Sequence, residues 1–323
     1  VPLLYRLLPK ELAADTFVEM EPDTQHMLIK GFSDNELKEV VDELYVDDAV
    51  DLVEEMPANV VKRILIQADA EKRKMINTIL QYPDDSAGSI MTTEFVELRP
   101  KMTAEEAILH LRRSGINKET INNCYICAKG RQLMGVVTIR DLIMASSEET
   151  MEDLMEENII SVSTLEDQET VARQFSKYGF LAMPVVDREE RLVGIVTIDD
   201  VLDVMEEETT EDIEKMAAIV PADKPYLKQT TFDLWKSRMP WLMISATFTG
   251  FIITSFEDAL SKYVVLTAYI PMLMDTGGNS GSQASVTVIR GISLKEVEFR
   301  DIFRVIWKEV RVALLCGLTL AVC

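Results

Sequence analysis

Apolar positions recur at helical spacing through the first part of the chain, as in "ELKEVVDELYVDDAVDLVEEM" and "VVKRILIQADAEKRKMINTIL". Pro9, Pro22, Pro57 and Pro83 cut that pattern into short pieces, so a small all-α superhelical stack is expected over residues 1–84. Further on, short strand-like runs alternate with single helical stretches, and then repeat. "SIMTTEFVELRPKMTAEEAILHLRR" aligns with "DLMEENIISVSTLEDQETVARQF" at an offset of about 64, and "CYICAKGRQLMGVVTIRDLI" with "MPVVDREERLVGIVTIDDVL" at about 59. Each copy has a Met-led strand, a helix opened by Thr103 or Asp167, a second strand, a turn, and a "G-[IV]-V-T-I-x-D" strand entering a helix. Thr103 with Glu106 forms a capping box.

Past residue 235 the charges thin out. From Pro240 to Phe256 there is none, and roughly 17 residues is the short end of a membrane-spanning helix. A second span is expected over about 263–289 and a third from Val310, which reaches Cys323 after about 14 residues, so the chain reads as ending within the membrane. It also starts without Met or a signal peptide. Lys236 and Arg238 before the first span, and Arg290, Lys295, Arg300 and Arg304 after the second, put the N-terminal part in the cytoplasm by the positive-inside rule.

The second span carries an anomaly, "PMLMDTGGNSGSQASVTVIRG". Pro271 frees a backbone carbonyl, while Gly277, Gly278 and Gly281 permit close backbone approach. Tight packing through small residues explains the glycines. It does not explain Asp275, Asn279 and Gln283, and an intramembrane carboxylate marks a conduction path or a buried pair, so a pore lining is expected here.

Charge then narrows the partners. The 323 residues hold 55 acidic against 33 basic side chains, a formal charge of −22, which disfavours nucleic acid and anionic lipid and favours cations. If "DVLDVMEEETTEDIE" is one helix, Asp200, Asp203, Glu207, Glu211 and Glu214 fall within an arc of about 80°, with Lys215 the nearby base. A solvated acidic helix is the plain reading, but such helices normally interleave basic partners. A divalent cation would neutralise the stripe if a second acidic surface faced it. "VDDAVD" offers Asp47, Asp48 and Asp51; "YPDDSAG" offers Asp84 and Asp85; "LEDQE" offers Glu166, Asp167 and Glu169. Oxygen ligands without clustered His or Cys suit Mg²⁺ or Ca²⁺ rather than zinc or copper, and no EF-hand loop is present. "CYIC", at Cys124 and Cys127, has the spacing of a redox or zinc pair but lies in a strand-like run without a second pair, so a buried structural role is expected. No nucleophile with a base partner and no phosphate loop argues for catalysis.

The repeat resembles a tandem pair of CBS domains, modules that bind adenosine nucleotides and gate what they are attached to. In such modules the Thr and Asp of "T-x-x-D" hold a ribose, which nominates Thr138 and Asp141 in the first copy and Thr197 and Asp200 in the second. The same pairs serve equally as helix caps. The whole order of helical N domain, CBS pair, acidic connecting helix and "PMLMDTGGNSGSQASVTVIRG" is similar to the MgtE family of magnesium channels, and the likeness covers essentially the entire chain.

That resemblance implies a homodimeric, multi-pass Mg²⁺ channel of the prokaryotic inner membrane, embedded in lipid, whose cytosolic domains bind Mg²⁺ and shut the pore when Mg²⁺ is high. The implied fold is multidomain: the all-α superhelical N domain (1–84), an α/β CBS pair (85–149 and 150–205), a long connecting "plug" helix (206–238) and an α-helical transmembrane domain (239–323), truncated against the family's five helices. By position, Asp47 and Asp51 resemble the family's N-domain metal ligands, Asp167 and Glu169 those of the second CBS copy, and Asp200, Asp203, Glu208, Glu211 and Asp212 those of its exit and the plug; Asp84 and Asp85 join them at the junction. Arg140 and Asp141 resemble an ATP-contacting pair, with Thr138 beside them and Phe180 against the base. Two departures stand out: Gly179 replaces an acidic ligand of some members, and the fifth-helix Asp of the ion-selective site lies beyond Cys323. A CBS-regulated transporter of another divalent cation, or a nucleotide-sensing regulator without Mg²⁺ gating, are the alternatives.

Overall fold

The computed structural model describes residues 5–115, 118–221, 229–293, 297 and 299–322, in two units, 1–205 and 206–323. Lys295, and the expected course of the connecting helix through 222–228, lie outside the described residues.

The first unit opens with six short helices: α1 (Lys10–Val18), α2 (Pro22–Gly31), α3 (Asp34–Glu43), α4 (Val46–Glu55), α5 (Ala58–Gln67) and α6 (Ala70–Ile79). Local chemistry sets their starts. Pro9 and Pro57 precede α1 and α5, Pro22 begins α2, Ser33 forms a capping box with Glu36, and Asp69 accepts from the N–H groups of Glu71 and Lys72 at 2.8 Å. α1 packs on α3, α3 on α5 and α4 on α6, the alternate contacts of a superhelical stack. The stack closes over Phe17, Leu28, Leu37, Val41, Val50 and Ile64, all buried.

Two three-stranded sheets follow. The first contains β1 (Val96–Leu98), β2 (Asn123–Cys127) and β3 (Leu133–Thr138), with α7 (Ala104–Ser114) after β1 and α8 (Ile139–Met144) after β3. After the short α9 (Met151–Leu154), the second sheet repeats this with β4 (Val162–Ser163), α10 (Gln168–Tyr178), β5 (Ala182–Val186) and β6 (Leu192–Thr197). In each, the first two strands are parallel and the last two form an antiparallel hairpin, with a register shift near the hairpin end. Thr103 with Glu106, and Asp167, cap α7 and α10 as the sequence indicates.

The copies exchange their leading segments. Thr92, ahead of the first copy, pairs with Ile195 of the second, and Glu156, ahead of the second, pairs with Val136 of the first. Leu192 N donates to Arg131 O at 2.8 Å and Leu133 N to Glu190 O at 3.2 Å, so the hairpin turns are joined reciprocally. The shared interior holds Phe95, Tyr125, Cys127, Ala182, Leu192 and Ile195. Cys124 and Cys127 are buried on β2 and burial pushes both thiols up to about 12, which fits the structural role expected of them.

α11 (Ile198–Met216) begins directly after β6. It stops well short of residue 238, because Ala218 takes a left-handed conformation (φ 54°) while Ala218 N bonds Lys215 O and Ile219 N bonds Glu214 O, the two bonds of a Schellman stop. The second unit continues with α12 (Thr231–Ser255), α13 (Glu257–Lys262), α14 (Val264–Ser293) and, after a 3₁₀ turn, α15 (Ile302–Val322). Gly291 is its only buried residue among those described.

The membrane spans expected from the sequence fall on α12, α14 and α15. Helices form at those positions, but among the described residues none is long and apolar enough to cross a membrane. Length is not what fails: α14 has 30 residues, about 45 Å at 1.5 Å per residue. Apolarity is diluted by Asp275, Asn279, Gln283 and Arg290 in α14, and by Arg304, Lys308, Glu309 and Arg311 in α15.

Candidate functional site

α4 buries Val46, Ala49, Val50, Leu52 and Val53 in the N-domain core. That register turns Asp48 and Asp51 toward the start of α11 and leaves Asp47 almost wholly buried, 7% exposed. Between these elements lies a cleft of about 310 Å³, lined by Glu19, Asp48, Asp51, Glu55, Asp199, Asp200 and Asp203, with Phe17, Leu44 and Leu52 at its apolar wall. Among the described residues no Lys, Arg or His contributes to the lining.

Burial and mutual repulsion act together on these carboxyls. Asp47 is held well above the ordinary carboxylate range, first by burial and then by the charge of Asp200. Burial, reinforced by Asp200, raises Asp51 to about 7. Burial raises Asp200 to about 7 although Thr197 donates its backbone N–H and its hydroxyl to the carboxylate, and Asp199 adds to the rise. Asp48 rises to about 6 by burial, partly offset by a bond from the Tyr45 N–H. Glu119 of the first CBS copy goes to about 8, from burial and then the nearby charges of Asp48, Asp199 and Asp200. Such a set is unstable when fully ionised and welcomes a cation.

Asp84, Asp85, Asp167 and Glu169 form a separate group where the N domain meets the second CBS copy. Gln168 donates its N–H to Asp85 O at 2.9 Å and its amide to Asp85 Oδ1 at 3.4 Å, and Ser86 pairs with Asp167. Asp167 caps α10 through the Thr170 N–H at 3.2 Å, and Glu169 is paired with Arg173. Glu208, Glu211 and Asp212 lie on the part of α11 that belongs to the second unit, where Glu211 pairs with Lys215 at 2.5 Å. Among the described residues no three His, Cys, Asp or Glu stand close enough to hold a metal ion directly. The oxygen-only lining nevertheless suits Mg²⁺, which dehydrates reluctantly and is commonly held through its own waters.

Thr138 and Asp141 engage each other: the hydroxyl donates to Asp141 Oδ2 at 2.5 Å and the Asp141 N–H returns to Thr138 Oγ1 at 3.2 Å, capping α8. Arg140 is exposed beside them. Phe180 stacks on Tyr178 at 5.4 Å and meets Phe175 edge-on, following Gly179, whose left-handed φ of 70° ends α10. An acidic residue at 179 would therefore strain the backbone. On α14, Pro271, Asp275, Asn279 and Gln283 climb one row at intervals of four residues, and Gly277 falls on the opposite side of the helix. All of these, with Gly278, are exposed in the single chain.

Comparison with known proteins places these features. The MgtE intracellular N domain matches residues 1–85, CBS domains match 87–148 and 151–207, and a divalent cation transporter domain matches 270–323. Over 322 residues the chain is 39% identical to the magnesium transporter MgtE of Thermus thermophilus, covering 98% of this chain and 71% of that protein. The chain belongs to the MgtE family of magnesium transporters. MgtE of Bacillus subtilis is 36% identical, over 96% of this chain and 68% of its own length. The structure of the cytosolic domain of the Mg²⁺ channel MgtE in complex with ATP superposes with a TM-score of 0.60 at 38% identity, covering 62% of this chain and 83% of that one. The soluble part of a magnesium transporter gives 0.60 at 35%, covering 64% and 81%.

Within this MgtE chain, sequence reasoning missed Glu19, Glu55, Asp199 and Glu119. Asp199 adjoins a nominated residue and was legible from "TIDD"; Glu19 and Glu119 come from segments with no acidic pattern and reach the site only through folding.

Proposed function

We propose that this chain is the sensor and the opening part of the pore of a Mg²⁺ channel, closed when cytosolic Mg²⁺ is high. The observation that carries the reading is the cleft between α4 and α11, with seven acidic residues and no base in its lining among the described residues. Hydrated Mg²⁺ held in the cleft by Asp51, Asp200 and Asp203, with Asp47 buried behind them, draws the N domain against the second CBS copy, and the junction group of Asp84, Asp85, Asp167 and Glu169 acts in the same sense. As Mg²⁺ falls the carboxylates repel, and α11, with Glu208, Glu211 and Asp212, transmits the release. Membership of a family of divalent cation transporters supports a prokaryotic inner-membrane location as a homodimer, in which the exposed apolar residues of the second unit, such as Phe251 and Leu273, meet lipid or the other copy. Asp275, Asn279 and Gln283 then face the pore and select the ion through water-mediated hydrogen bonds. ATP at Thr138, Arg140, Asp141 and Phe180 modulates closure; a relative's ATP complex supports this.

Limited proteolysis of the solubilised chain over a millimolar range of Mg²⁺ tests the sensor. Mg²⁺ should protect the first unit, and the protection should vanish in Asp51→Ala/Asp203→Ala. If no divalent ion protects, the cleft is no sensor. Asn279→Ala should impair Mg²⁺ uptake without changing that protection, and unaltered uptake would count against the pore assignment.

A further inference from the structure

α4 carries the N-domain share of the acidic cleft, yet its own sequence does not cap it. Tyr45 occupies the N-cap position and has no side-chain acceptor to offer the helix. The first N–H groups of a helix lack intrahelical partners and must be satisfied from outside. Here two are satisfied by carboxylates. Asp48 N–H bonds Asp47 Oδ1 at 3.0 Å. Val46 N–H bonds Glu94 Oε2 at 3.0 Å, an acceptor that arrives from the first CBS copy, 48 residues along the chain.

Glu94 is well held for this task. The Glu119 N–H donates to its backbone carbonyl at 2.9 Å, and the Thr92 hydroxyl accepts from its N–H at 3.4 Å. Thr92 is itself locked to the second copy through paired bonds with Ile195 at 2.8 and 2.9 Å. Lys72 is buried nearby, donating to the carbonyls of Asp42 and Leu44 at the end of α3; burial raises the Glu94 carboxyl, and the Lys72 charge and the Val46 N–H bond partly offset that rise. A chain of short contacts therefore runs from β6, which leads into Asp199 and Asp200, through Thr92 and Glu94 to the start of the helix bearing Asp47, Asp48 and Asp51.

We propose that Glu94 is a positioning residue of the cation sensor: it caps α4 from the first CBS copy and fixes the N-domain carboxylates opposite those of α11. This rests on the sensor reading above and adds a component from the first CBS copy. The cap forms only while the N domain is docked, so docking and the order of α4 are coupled.

The test uses the whole solubilised chain, with Mg²⁺ as the probe and two readouts, the Mg²⁺ midpoint for protease protection and hydrogen exchange of the amides of residues 45–50. Glu94→Ala should raise the midpoint about fivefold, the effect of losing one N-cap, and speed exchange at the start of α4 while α1 and α2 keep their protection. Glu94→Gln keeps an oxygen that accepts the Val46 N–H and should restore the midpoint to within about twofold. If Glu94→Ala matches the unaltered chain in either readout, or if Ala and Gln shift the midpoint equally, the proposal is overturned while the sensor stands. If Glu94→Ala does not fold, Glu94→Gln decides alone, a midpoint beyond twofold counting against the cap. Absence of Mg²⁺ protection in the unaltered chain removes the sensor, and the proposal with it.

Discussion

Thr138 with Asp141 in the first CBS copy and Thr197 with Asp200 in the second make the same contact, hydroxyl to carboxylate at 2.5 and 2.6 Å. Asp141 faces solvent. Asp200 lies in the cleft beneath α4, where burial and Asp199 raise it to about 7. An identical local device thus serves two ends, because what the tertiary fold places opposite a carboxylate decides its chemistry, whereas the contact is decided within four residues of sequence.

Exchanging the roles of these two Asp residues offers the sharpest break. Asp200→Ala should raise the Mg²⁺ midpoint for protease protection by at least about tenfold, the scale on which losing a metal-site partner acts. Asp141→Ala should leave that midpoint in place and cost about 1 kcal/mol, one helix cap, measured by denaturant unfolding. Equal midpoints in both variants would erase the distinction.

The exchanged leading segments give a smaller contrast. A Cβ on Gly194 would meet Thr92 O at 2.7 Å and Met91 Sδ at 2.6 Å, whereas on Gly135 it would meet only the Met155 side chain, at 2.5 to 2.7 Å. Gly194→Ala should therefore cost about 3 kcal/mol and Gly135→Ala about 1 kcal/mol, since a flexible Met yields and a paired backbone does not. Similar losses would show that both segments are equally free to shift.

A third contrast is with pH. Asp51 and Asp200 stand at about 7 in the folded state, against about 3.9 unfolded, so the folded chain holds the extra protons. Their contribution to stability is fully present below the unfolded value and is lost as pH rises through about 7. In EDTA the melting temperature should fall by about 3 °C or more between pH 5 and pH 8, the shift for roughly 1 kcal/mol in a domain of this size. Saturating Mg²⁺ or Asp200→Asn should flatten the fall, and a flat profile in EDTA would contradict the burial of these carboxyls. The smallest contrast lies in the hairpin turns, where Arg131 and Glu190 both adopt positive φ, 65° and 57°. Glu190→Gly should stabilise by up to about 1 kcal/mol. Arg131→Gly should gain less, because it also loses the 3.1 Å pair with Glu97 and the contact over the Phe95 ring.

The helices of the N domain, the repeat and its caps were legible because each is written in neighbouring residues: a Pro or Ser at a helix start, a Thr three positions before an acid, an apolar period of about 3.6 or 2. The polar run within α14 and the acidic stripe were legible as composition out of place. The membrane-length runs were legible as helices, while Asp275, Asn279, Gln283 and Arg290 dilute the apolarity of α14.

By itself, then, the sequence determined which segments become helix or strand, where they start, and that carboxylates would be in excess. Only the tertiary structure decided that the CBS copies trade their leading segments, that Glu94 caps a helix of another domain, and that Asp48, Asp51, Asp199 and Asp200 share one cleft. The reason is range: caps and periodicity act over a few residues, whereas burial and repulsion depend on groups that only the folded chain brings together across more than a hundred positions of sequence.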